Sequence, residues 1–255
     1  MTGFKLFDAH FHVIDPRFPL VPNRGFVPER YTINDYRERL ATYNLCGGAI
    51  ISGSFQAFDQ DYLVDALSRL GPRYAGVTQL PVSTSDEELL ELNKAGVRGI
   101  RFNLKRGGSE AVEHLDSMAR RVHETVGWHV ELYVDSRDLE ELSAVLVALP
   151  SVGIDHLGLS AEGLPTLLRL AEQGVKVKAS GFGRVDFDVR TALKNLYAAN
   201  PSCLMFGTDL PSTRAARPYT DRDFRLVIDT LGEETAEQVF YTNASRFYRM
   251  EESSG

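Results

Sequence analysis

Cysteine and tryptophan are nearly absent, with two and one in 255 residues. Cys46 and Cys203 each adjoin an expected strand in apolar surroundings, so buried free thiols are expected rather than a disulfide framework, as in a reducing compartment. No run of about 18 apolar residues occurs, and MTGFK leads straight into a strand without a charged leader and apolar core. The expectation is a cytoplasmic protein with no membrane partner. Basic residues are fewer than acidic ones, 28 against 35, and are scattered. That leaves no electrostatic footprint for nucleic acid, although a local cationic pocket is compatible with a net charge of -7. Two fingerprints are missing as well. No glycine-rich turn follows the first strand, which argues against an open dinucleotide-binding sheet, and neither Ser52 nor Ser54 sits in a G-x-S-x-G elbow, which disfavours a covalent serine mechanism.

What is present is an alternation of short β-rich runs with helical patterns from end to end. Strands are expected at 6–12, 48–54, 74–80, 99–104, 129–134, 152–156, 175–180 and 204–208. Helical periodicity falls at 34–43, 59–70, 85–94, 110–126, 136–149, 162–173 and 188–199, with closing helices at 221–231 and 233–249. Eight βα units in about 250 residues are what a (β/α)8 barrel requires. No linker or short-period repeat interrupts them, so a single domain over residues 1–255 is expected. The Pro- and Gly-rich stretch 15–30 is long for a βα connection and is a candidate wall or lid.

In such a barrel, polar residues at the C-terminal ends of strands point into the site. FDAHFHV places His10 and His12 at the end of the first strand, two residues apart and hence on one face, suited to holding a divalent metal or polarising a carbonyl. His156 ends the sixth strand in VGIDHLG and Asp209 follows the eighth in LMFGTDLP. Asp8 is expected on the same face, orienting one imidazole. His129 should lie at the barrel bottom, with His114 and His123 as surface or packing residues. Arg101, Lys105 and Arg106 near the end of the fourth strand, with Arg184 past the seventh, suggest an anionic substrate, because arginine recognises planar carboxylates bidentately. Arg98 should start its strand outside the site. Ser54 and Tyr133 are placed to donate hydrogen bonds into the pocket.

The blocks DAHFHV, GVRGIRFNL, IDHLG and FGTDLP, in this order, resemble the amidohydrolase superfamily, and within it the branch of 2-pyrone-4,6-dicarboxylate hydrolases and related lactonases. The resemblance implies a catalytic centre of His10, His12, His156 and Asp209, with Ser54, Arg101, Arg106, Tyr133 and Arg184 binding a small carboxylate-bearing lactone. It implies aromatic catabolism, and a branch that works without metal; the metal-bound alternative is one zinc or manganese ion on His10, His12 and Asp209, in a lactonase or a decarboxylase of another small acid. A binuclear centre is not expected, because Tyr133 stands at the usual fifth-strand histidine position and Asn103 and Leu104 end the fourth strand. A barrel that only senses a carboxylate would need the arginines but not a base facing two imidazoles. Phe26, in RGFVPERY, stands where the resemblance suggests a tyrosine. The oligomeric state is left open.

Overall fold

The computed structural model describes residues 3–250, so the ends of the expected 1–255 unit, 1–2 and 251–255, lie outside the described residues. Eight parallel strands run β1(Lys5–Phe11), β2(Asn44–Ile51), β3(Tyr74–Thr78), β4(Val97–Asn103), β5(His129–Tyr133), β6(Val152–Ile154), β7(Lys176–Ala179) and β8(Leu204–Phe206), in sequence order across the sheet. The ring closes where the Asp209 N–H donates to the His10 carbonyl (2.7 Å) and the His12 N–H to the Leu210 carbonyl (2.8 Å). Between strands lie α1(Ile33–Arg39), α2(Asp61–Leu70), α3(Asp86–Ala95), α4(Leu115–Val126), α5(Leu139–Ala148), α6(Leu164–Glu172) and α7(Val189–Ala199). α8(Asp221–Leu231), α9(Glu233–Glu237), a π turn over Gln238–Thr242 and α10(Asn243–Phe247) complete the ring. The expected eightfold barrel is observed.

The helices form for local reasons and bury one stripe each. Thr32 and Asp35 cap α1 reciprocally, as Ser85 and Glu88 cap α3, satisfying backbone donors that the first turn leaves open. On α4 the buried residues are Leu115, Met118, Ala119 and Val122, the i, i+3, i+4, i+7 spacing of one helical face. These stripes pack on the outer faces of the strands, while Phe7, Ala9, Ala49, Ile51, Ala75, Val77 and Met205 fill the barrel interior around Tyr248. Filling the bottom with side chains leaves only the C-terminal mouth open for chemistry. Among the described residues no helix is long and apolar enough to cross a membrane.

The thiols differ from the expected buried pair. Cys203 is fully buried between β8 and α7, and burial pushes its pKa up to about 12. Cys46 on β2 is only partly covered. A thiol-disulfide exchange reagent at pH 8 is therefore expected to titrate one thiol promptly in the native protein and both after unfolding; two fast thiols in the native state would contradict the packing around Cys203.

Candidate active site

One irregularity in β1 decides which side chains reach the mouth. Asp8 is opposite Gly48 and Phe11 opposite Ile50, so three steps on β1 match two on β2. This bulge breaks the strict alternation. Asp8 therefore does not orient an imidazole as expected. Its carboxylate accepts hydrogen bonds from the backbone N–H of His10 (3.3 Å) and Thr208 (2.8 Å), the Thr208 hydroxyl (2.7 Å) and the Tyr36 hydroxyl of α1 (3.2 Å). Burial raises its pKa to about 6 against those donors. Asp8 is a clasp between β1, the β8 end and α1. Gly207 allows the same close approach: a Cβ there would lie 2.7 Å from the Cβ and N of His10.

Above the bulge, His10, His12, His156 and Asp209 meet at one point. Asp209 Oδ1 is 3.8, 3.6 and 3.8 Å from Nε2 of His10, His12 and His156. His156 and Asp209 both have left-handed backbones, φ 52° and 59°. Such conformations cost on the order of 1–3 kcal/mol in non-glycine residues and concentrate at functional sites. Asp209 Oδ1 and His10 Nε2 are buried without a hydrogen-bond partner among the described residues. Asp209 Oδ2 accepts from Arg184 Nε at 2.7 Å. Burial opposes ionisation of Asp209, but the Arg184 charge and then the facing imidazoles hold its carboxyl far below the usual range. Burial also lowers His156 to about 3 and His10 well below an ordinary imidazole.

The partners of the other ring nitrogens assign the tautomer of His12 alone. His12 Nδ1 is 2.7 Å from the Ile51 carbonyl, which can only accept, so the neutral ring turns an Nε2 lone pair inward. The Lys178 ammonium reaches His10 Nδ1 at 3.3 Å, which favours a proton on Nε2 and an N–H aimed at the pocket. Asp155 Oδ1, 3.2 Å from the same nitrogen, favours the other tautomer, with the proton on Nδ1 and the Nε2 lone pair turned inward. His156 Nδ1 faces the Ser180 hydroxyl at 2.9 Å, which can donate or accept. His12 thus turns an acceptor to the pocket, and His10 turns a donor or an acceptor according to whether Lys178 or Asp155 sets its proton.

Beneath it lies a charged floor the sequence analysis missed. Lys178 on β7 is fully buried, bonds Glu131 of β5 and lies 3.3 Å from Asp155. Asp155 also receives Arg101 Nη2 at 2.7 Å and Nε at 3.2 Å, while Arg101 Nη1 donates to the Ser52 carbonyl at 2.8 Å. Glu131 further accepts from Tyr248 and pairs with His129, the residue expected at the barrel bottom. Burial opposes ionisation of both acids, yet Lys178 holds both pKa values down, with His10 and Arg101 also lowering that of Asp155. The available signal was a lysine and a glutamate at inward-facing positions of the apolar runs KVKAS and HVELY.

His12, Ser54, Arg101, Arg106, Tyr133, His156, Arg184 and Arg214 line a cleft of about 330 Å³ over the imidazoles. All five expected binding residues are there, but in different states. Arg101 is committed to Asp155 and Arg184 to Asp209, whereas the Arg106 guanidinium bonds to no carboxylate among the described residues. The Tyr133 ring packs against His156 and under Arg101. Lys105 turns to Asp135 at 2.8 Å, and Arg98 bonds backbone carbonyls at the start of β4, outside the site. The 15–30 segment forms part of the rim: Asn23 donates to the Arg106 carbonyl, and Val21 N–H to Phe55. Arg214, missed in the sequence, lies in the loop after β8.

His10, His12 and Asp209 have ligand atoms close enough to hold one metal ion. The fit turns on the His10 proton. Asp209 Oδ1 and the inward lone pair of His12 suit a divalent cation, and His10 Nε2 joins them when Asp155 holds the ring proton on Nδ1 but not when Lys178 leaves it on Nε2.

The structure is thus a parallel (β/α)8 barrel with histidines at the ends of β1 and β6 and an aspartate after β8 gathered at one mouth. The chain belongs to the amidohydrolase family, whose model matches residues 7–250. It is 33% identical over 162 residues to the 2-pyrone-4,6-dicarboxylate hydrolase of Comamonas testosteroni, over 59% of this chain and 51% of that protein. It is 26% identical over 158 residues to the 4-sulfomuconolactone hydrolase of Rhizobium radiobacter, over 59% and 52%. The chain thus spans about half the length of these relatives. An Agrobacterium tumefaciens crystal structure in its apo form superposes with a TM-score of 0.85 at 22% identity, over 98% of this chain and 96% of that one, and shares the fold.

Proposed function

We propose that this chain is a lactone hydrolase acting on a small ring that carries carboxylates, of which 2-pyrone-4,6-dicarboxylate is the best candidate, and that residues 1–255 act as one domain. The carrying observation is the unpartnered Asp209 Oδ1 within 3.8 Å of three imidazole nitrogens, under a cleft lined by four arginines. The names of the two relatives, both hydrolases of lactone-type rings, favour the same reaction.

In this reading the lactone carbonyl oxygen accepts from His10 Nε2–H, a donor aimed before the substrate arrives. The attacking water lies between the lone pair of His12 and Asp209 Oδ1, and His156 orients water or carbonyl. Water oxygen bonds the carbonyl carbon while Asp209 takes the proton. The ring C–O bond then breaks and the proton passes to the leaving enol oxygen. A pyrone leaves as a conjugated enolate, so the barrier is lower than for a simple ester. Asp209 at rest is too stabilised to be a good base. A substrate carboxylate that draws Arg184 away from Oδ2 restores its basicity as the complex forms. Arg101, held by Asp155, fixes the cleft floor, and Ser54, Arg106, Tyr133 and Arg184 hold the ring in register.

This chemistry uses no metal and takes His10 in the Nε2–H form that Lys178 favours. The test is the fall in pyrone ultraviolet absorbance with enzyme stripped by a strong chelator. Turnover is expected within about twofold of the untreated rate; loss of activity restored by zinc or manganese would instead make His10, His12 and Asp209 metal ligands, as in a mononuclear lactonase or decarboxylase.

A further inference from the structure

Charge accounting in the cleft leaves a remainder. Two of the four lining arginines are neutralised within the protein: Arg101 by Asp155 and Arg184 by Asp209. Arg106 and Arg214 pair with no carboxylate among the described residues. Arg214 is held only by uncharged groups: Nη2 donates to Ser54 Oγ at 3.0 Å, and Nη1 to Asn23 Oδ1 at 3.1 Å and, more weakly, to its carbonyl at 3.5 Å. Its guanidinium lies over the Phe26 ring, 4.5 Å from the centroid. Partial burial lowers its pKa, and the neighbouring Arg106 and Arg184 charges lower it further. Arg106, Arg184 and Arg214 thus line one cleft in a protein of net charge -7, close enough for the first two charges to act on the third.

The backbone shows that this placement is built in. Asp209, Ser212 and Arg214 all have left-handed φ, 59°, 65° and 58°. The loop therefore doubles back after presenting Asp209 and carries Arg214 across the mouth to the β1 and β2 loops. Like charges brought together this way are unfavourable unless an anion arrives to share them.

We propose that Arg214 is a specificity-determining residue that, with Arg106, binds a second carboxylate of the substrate at the outer end of the cleft and so selects dianionic rings over monoanionic ones. This rests on the lactone-hydrolase reading for its substrate but not for its test. The planar, non-hydrolysable pyridine-2,4-dicarboxylate and pyridine-2-carboxylate are titrated calorimetrically into the full chain and into Arg214→Met and Arg214→Lys. The native protein is expected to bind the dicarboxylate at least about 10-fold more tightly, since a charge-assisted hydrogen bond adds about that much. Arg214→Met should abolish the preference by weakening only the dicarboxylate, Arg214→Lys should keep part of it, and thermal unfolding should be unchanged. In turnover, Arg214→Met should raise KM for the pyrone dicarboxylate with kcat nearly constant.

A native protein without the preference, or an Arg214→Met variant that keeps it or weakens both ligands alike, overturns the assignment and leaves Arg214 a tie between loops. Preference lost in Arg214→Met, with no lactone opened by the native protein, supports the subsite while removing the lactonase reading. Pyrone opened equally well by native and Arg214→Met proteins removes the subsite alone.

Discussion

Asp209→Asn is expected to lower kcat for pyrone opening by about 10³-fold, within the range a positioned acid–base group contributes, while KM rises little or falls. The amide keeps the size of the carboxylate but cannot take the water proton. It also weakens the hold on Arg184, whose 2.7 Å bond to Oδ2 competes with substrate in the native site, because a neutral amide oxygen accepts without the ionic attraction. Stopped-flow absorbance yields kcat and KM, and calorimetric binding of pyridine-2,4-dicarboxylate to the same variant shows whether the cleft is intact. A variant that binds this ligand yet turns over within about tenfold of the native rate would remove Asp209 as the base. Loss of both binding and turnover would mean that Asp209 is chiefly the structural counter-ion of Arg184.

Lys178→Met is expected to destabilise the protein by about 3–5 kcal/mol, because breaking a buried ion pair leaves its partner's charge uncompensated. Glu131 and Asp155 are both fully buried, and Lys178 is the cation that bridges them. At about 2–4 °C per kcal/mol for a chain of this size, Tm should fall by about 10 °C. Adding Glu131→Gln should recover part of the loss, since Arg101 still neutralises Asp155. A fall in Tm below about 2 °C would show that water reaches this floor.

The barrel was legible because parallel strands buried on both faces read as short apolar runs and the helices between them keep their stripes. The observed strands lie within a few residues of the expected ones, the largest shift being the start of β2 at Asn44 rather than 48. His10, His12, His156 and Asp209 were legible because each ends a strand run, and their convergence follows from the ring. Asp8 was misplaced because a bulge is a property of two paired strands, and β1 alone does not show that β2 lacks a matching residue. Lys178 and Glu131 were overlooked because each is one charge inside a run that otherwise reads as apolar, and their meaning appears only when β5 and β7 face each other across the barrel. Arg214 escaped because its position depends on three left-handed residues in a loop, which periodicity does not encode.

That loop has a consequence for how such a protein changes over time. The groups assigned to proton transfer and to substrate choice, Asp209 and Arg214, are five positions apart on one tightly folded segment whose ends are anchored in β8 and α8. An insertion or exchange there displaces both together. New substrates are therefore more readily acquired by altering the facing loops, at Asn23, Phe26, Ser54 or Arg106, where the anchor of the outer carboxylate is altered and the proton acceptor stays in place. In this barrel, divergence is expected to be modular around most of the rim and blocked at the eighth strand, and a chimaera that grafts the β8 loop of a relative should gain its selectivity and its turnover rate as one inheritance.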